Sequence, residues 1–113
     1  MALNVVMKQF DRDPPINATL QDRNGAVAFA GTEVVKFAMR LPGVTTPKVL
    51  AAAAWVSAPN GTVRYSWGAT DTNTPGVYHG EFVVLLGTGN YQRFPNSEDI
   101  TVTITEAASG VLP

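Results

Sequence analysis

The chain has 113 residues, 45% hydrophobic and only 15% charged, with eight basic and nine acidic side chains for a formal net charge of -1. That length holds one domain with a real core and is too short for two of ordinary size. The balanced charge, without a basic stripe, argues against nucleic acid as a ligand; the lack of cysteine excludes a disulfide framework, a thiolate metal site and a cysteine nucleophile.

So hydrophobic a chain with so little charge is not disordered, and it points to a surface partly covered by a partner. Met1 to Met7 lacks the basic lead and long apolar run of a secretory signal, and no uncharged apolar span is long enough to cross a bilayer as a helix. Synthesis in the cytoplasm, with no membrane partner, is the expectation. The sequons at Asn17 and Asn60 are accordingly chance matches.

In chain order, Val5 to Phe10 reads as a first strand, with Val6, Lys8 and Phe10 on one face and Val5, Met7 and Gln9 on the other. Asp11 to Pro15 breaks it, because Pro14 and Pro15 cannot donate to a ladder; such a pair suits an edge or a crossing between sheets. Ile16, Ala18 and Leu20 alternate with Asn17, Thr19 and Gln21, and Asp22 to Gly25 supplies a turn before Val27 and Phe29. After Gly31, Glu33 to Arg40 is a clear strand whose Val35, Phe37 and Met39 face one way.

Leu41 to Pro47 is a loop. Lys48 to Val56 is ambiguous, since four alanines favour a helix while Val49, Trp55 and Val56 favour a strand; it is taken as one strand joined by a hairpin across Pro59, Asn60 and Gly61 to Val63, Tyr65 and Trp67. Beyond the turn-rich run Gly68 to Gly76, Tyr78, Gly80, Phe82 and Val84 alternate as the next strand. Asn90 to Phe94 is a short segment, Ile100 to Thr105 presents one apolar and one hydroxyl face, and Glu106 to Pro113 is a loose tail. Seven to nine short strands between turns predict an all-β sandwich.

Asp71, Gly76 and Tyr78 resemble the tyrosine corner of immunoglobulin-like sandwiches, in which a tyrosine two residues after a glycine turns its hydroxyl back onto upstream backbone. Gly80 stands where an antibody domain has its cysteine. Trp67 is too near Tyr78 to be the usual strand C tryptophan. A wider pattern also resembles a known family. It runs from Ala18, Thr19 and Leu20 through Asp22, Gly25, Val27, Gly31, Thr32, Val34, Phe37, Met39 and Arg40. It continues with Gly61, Val63, Arg64, Tyr65, Trp67, Asp71, Thr72, Gly76, Tyr78, Glu81, Phe82 and Val84, and closes with Phe94, Pro95 and Ile100 to Ile104. This is similar to the N-terminal domain family of phage baseplate upper proteins.

The resemblance implies an immunoglobulin-like sandwich that anchors a component to a phage particle. Within that family a stalk or receptor-binding part commonly follows; here, with Met1 read as the natural start, the chain stops at Pro113. The expectation is therefore a docking or head-decoration module rather than receptor binding, with other phage structural proteins, or copies of itself in a symmetric array, as partners.

Strand parity places His79, Glu81, Val83 and Leu85 on the face of their strand opposite Tyr78 and Phe82. A solvated outer face would alternate cleanly with polar residues, so Val83 and Leu85 there leave two readings open: burial by another subunit, or a strand end tucked under its own loop. Lys48 to Val56 has the same two-sided character and is expected to join that contact. His79 with Glu81 is an ordinary polar pair with no nucleophile or oxyanion hole beside it, and Ser66, His79 and Asp71 match no triad spacing. Asp71 with Asn73, and Asp11 with Asp13, carry too few oxygens for calcium and are what turns use. Tyr65, Trp67 and Tyr91 as an aromatic platform would make the domain a carbohydrate-binding or host-adhesion module, although the first two sit at core spacing. No cofactor is expected.

Overall fold

The computed structural model describes residues 3–22, 25–94 and 100–109. Pro95, the turn residues 23 and 24 and the last four residues of the expected tail lie outside the described residues. The described residues form eleven strands: β1 (Asn4–Lys8), β2 (Ile16–Thr19), β3 (Gln21–Asp22), β4 (Gly25–Ala26), β5 (Val34–Arg40), β6 (Val49–Ala52), β7 (Ala54–Ser57), β8 (Thr62–Tyr65), β9 (Gly76–Leu85), β10 (Tyr91–Phe94) and β11 (Ile100–Thr105). Apart from one 3-10 turn at Ala58–Asn60, the described fold is all β.

Two sheets pack face to face. The larger runs β1-β11-β9-β5-β6, and the smaller β2-β8-β7. β9 is the axis of the large sheet: Tyr78, Phe82 and Val84 are buried on its inner face, and β5 pairs along it from Val34↔Leu85 to Arg40↔His79. Its other edge is shared, with β10 beside Phe82 to Leu85 and β11 beside Gly76 to Gly80. β1 adds to β11 in parallel, Asn4 beside Thr101 and Lys8 beside Thr105.

Between the sheets sits an aromatic cluster. Phe37 of β5 stacks on Tyr65 of β8 with ring centroids 4.9 Å apart, meets Trp67 edge-on at 5.9 Å and tilts against Phe82 at 5.2 Å. A second group joins Phe29 to Trp55 and Phe94. Such pairs contribute beyond the area they bury, about 0.5–1.5 kcal/mol each.

Lys48 to Val56 is not one strand. It bends at Ala53, whose N–H donates to the carbonyl of Val35 at 2.9 Å, so β6 closes the edge of the large sheet and β7 opens the small one. Small alanine side chains let the backbone turn between layers without a clash. Leu50 and Val56 consequently lie on opposite outer faces of the sandwich and cannot share a contact. Val27 and Phe29 follow a two-residue ladder, β3 with β4, instead of forming a strand. The β7–β8 hairpin crosses the expected Pro59 to Gly61 turn.

Gly61 has φ of 70°, and a Cβ there would lie 2.4 Å from the carbonyl oxygen of Val27. Only glycine satisfies both conditions. Its own carbonyl accepts from Leu20 N–H at 2.7 Å, and Phe29 N–H donates to Ala58 at 2.8 Å, so the irregular 20–29 segment is fastened to this turn.

Candidate functional site

β9 projects Val77, His79, Glu81, Val83 and Leu85 outward, away from the small sheet. The register fixes their neighbours. Lys36 and Arg93 flank Val83, Val34 and Tyr91 flank Leu85, and Arg40 and Thr101 flank His79. Val83 and Leu85 are half-buried and His79 is exposed. Arg93 Nε lies 3.5 Å from Glu81 Oε2, a partly exposed pair that at such a surface contributes little on its own.

The four residues singled out on β9 thus share one surface, the outer face of the large sheet, which is wider than the sequence indicated. Among the described residues, seven large hydrophobics are exposed. Five of them, Val6, Val34, Leu50, Val77 and Tyr91, stand on this face by register. Val34, Leu85 and Tyr91 make an apolar row across β5, β9 and β10. Val6 and Val77 make another, joined by Thr103.

Between the rows Lys36, Arg40, His79, Glu81 and Arg93 are interspersed with Val83 and Leu50. An open cleft of about 400 Å³ lies against the Leu41 to Pro47 loop, walled by Met39, Pro42 and Pro47 with Arg40, His79 and Glu81 around it. The Arg40 guanidinium donates to the carbonyl of Val44 at 3.0 Å, which ties the loop to the end of β5.

Other singled-out residues lie elsewhere. Tyr65 and Trp67 are in the core, so they form no surface with Tyr91, which is 61% exposed. Tyr65 donates its hydroxyl to Asp71 Oδ2, and Gly68 N–H donates to the same oxygen at 2.7 Å. Burial first, then the hydrogen bond and charge of Asp71, hold the Tyr65 phenol well above the usual tyrosine range. Asn73 Oδ1 accepts from Lys48 Nζ at 2.5 Å and from Thr74 at 3.0 Å, and Asp11 Oδ2 accepts from Lys8 N–H at 3.3 Å; these oxygens hold turns. Ser66 sits outward beyond β8, across the sandwich from His79, so Ser66, Asp71 and His79 do not converge.

Tyr78 donates its hydroxyl to the carbonyl of Thr74, four residues upstream, at 2.7 Å. Asp71 serves Tyr65 instead. The turn is further strapped to the segment after β1: fully buried Thr72 donates to the carbonyl of Asp11 at 2.8 Å, while Gln9 donates to Asn73 and Trp67 Nε1 to Pro14. Among the described residues no buried side-chain nitrogen or oxygen lacks a partner.

What the sequence did not reveal is the breadth of the outer face. Val6, Val34, Leu50 and Tyr91 come from four different strands and meet only through pairing. Parity against Met7 and against Val35 was the local signal for Val6 and Val34; Leu50 and Tyr91 had none. No protein-family model and no curated protein sequence matches this chain.

Proposed function

We propose that this domain is a structural component of a bacteriophage particle, an immunoglobulin-like module that docks onto other virion proteins as a tail, baseplate or head-decoration part. It acts by binding and not by catalysis, without a cofactor, after synthesis in the host cytoplasm. The observation that carries this reading is the gathering of five of the seven exposed large hydrophobics onto one outer sheet face, among the described residues. Scattered apolar residues are ordinary on any surface, whereas a shared face is what a protein contact uses.

Strand order supports the immunoglobulin-like part. In lettered terms the large sheet reads A′-G-F-C-C′ and the small one B-E-D, with Tyr78 near the start of F. The similarity to the phage baseplate domain family supports the setting. Symmetric repetition on a particle multiplies a modest contact into stable attachment.

The test is the copy number of this chain in purified particles of the phage that encodes it, by quantitative mass spectrometry against the capsid and tail-tube proteins. A count near that of the capsid protein places it on the head; a small multiple of the tail symmetry places it at the baseplate or neck. Its absence from the particle overturns the proposal.

A further inference from the structure

The outer face of the large sheet also carries the wrong charge for this chain. By register, Lys8, Lys36, Arg40 and Arg93 stand on it against the single carboxylate of Glu81. That is a surplus of three positive charges among the described strand residues, on a chain whose formal net charge is -1. The remainder of the chain is correspondingly acidic by four. The cations lie between and beside the apolar rows, so basic and apolar groups alternate across one surface.

Resting on the docking reading above, we propose that this face takes an acidic, apolar-studded protein surface as its partner. Carboxylates of that partner meet Lys36, Arg93 and the Arg40 side of the cleft, while its apolar side chains cover the Val34–Leu85–Tyr91 row. Face-to-face pairing of two copies is disfavoured, because it sets four cations against four. A nucleic-acid backbone matches the cations and leaves the apolar rows unused, whereas a protein surface engages both.

The experiment uses the whole chain and a synthetic probe, a labelled peptide of alternating Glu and Leu, with an alternating Lys and Leu peptide and a DNA duplex as comparisons, read by fluorescence anisotropy. The Glu/Leu peptide is expected to bind and the Lys/Leu peptide not. Binding should weaken as salt shortens the screening length from about 30 Å at 0.01 M to about 10 Å at 0.1 M. The double reversal Lys36→Glu with Arg93→Glu should weaken it roughly tenfold or more, and Arg64→Glu, on the outer face of the small sheet, should leave it unchanged. Because Arg93→Glu faces Glu81 with a second carboxylate, the single variant Lys36→Glu and the salt series on the unaltered protein give readings that do not depend on the double variant folding.

No binding of the Glu/Leu peptide at low salt, insensitivity to salt, equal binding of the Lys/Leu peptide, or equal weakening by Arg64→Glu each overturns the proposal. So does duplex binding that depends on Lys36 while the Glu/Leu peptide fails to bind. Peptide binding by a protein absent from the particle would sink only the phage assignment; presence on the particle without peptide binding would sink only this inference.

Discussion

A Cβ built on Gly80 would lie 3.0 Å from Cζ of Phe37 and 3.1 Å from its Cε1. The glycine of the central strand is thus the floor on which the ring at the centre of the core rests. Phe37 is fully buried, stacked on Tyr65 and edge-on to Trp67, so it has nowhere to retreat. Gly80→Ala should therefore destabilise the fold by about 1–3 kcal/mol as an overpacked core, measured as a lower midpoint in urea unfolding. An unchanged or raised midpoint would mean that the ring can yield.

Gly61→Ala tests a different physics. Its left-handed backbone and the Val27 carbonyl 2.4 Å from the would-be Cβ both oppose any side chain. Strain of this kind costs of order 1–3 kcal/mol, and the fastening of Leu20 and Phe29 should loosen with it. Faster amide hydrogen exchange at Leu20 and Phe29 than in β9 would report that local loss.

Tyr65 predicts an alkaline limit to stability. Its folded phenol ionises well above the usual value of about 10, so the folded state holds this proton more tightly than the unfolded chain does. Stability from this source is complete below about pH 10 and falls as pH rises above it. Tyr65→Phe should make the decline shallower. It should not abolish it, because burial also raises the Tyr78 phenol. Chemical denaturation at a series of alkaline pH values measures both slopes, and equal slopes in the two proteins would reject the assignment.

Leu85→Asp and Val84→Asp separate docking from folding, since they are adjacent on β9 and point opposite ways. Val84 is fully buried, so its replacement by a carboxylate should unfold the domain. Leu85 is half-buried in the apolar row of the outer face, so Leu85→Asp should retain the β-sheet circular dichroism spectrum and lose attachment to the particle. Full attachment of a folded Leu85→Asp protein would remove this row from the contact.

Inner faces were legible where strands are long and half-buried: Val35, Phe37 and Met39, or Tyr78, Phe82 and Val84, alternate at a period that needs no partner to be read. The division at Ala53 was not, because a run of alanines has neither period, and the bend depends on which sheet each half can pair with. The outer face of the large sheet was half legible. Its β9 residues follow from parity alone, while Val6, Leu50 and Tyr91 join them only once the register is known, and no spacing in the chain encodes that. The charge surplus was hidden for the same reason, since a net charge near zero conceals how the signs are shared between surfaces.

The parallel pairing of β1 with β11 has a mechanical side. Residue 4 enters the sheet beside residue 101, whereas residue 105 leaves it beside residue 8, at the other end of the pair. Tension drawn through the two ends of the fold would slide these strands along each other and load their hydrogen bonds together, not peel them apart one by one. A domain held at one pole and pulled at the other would yield only when this whole ladder gives way.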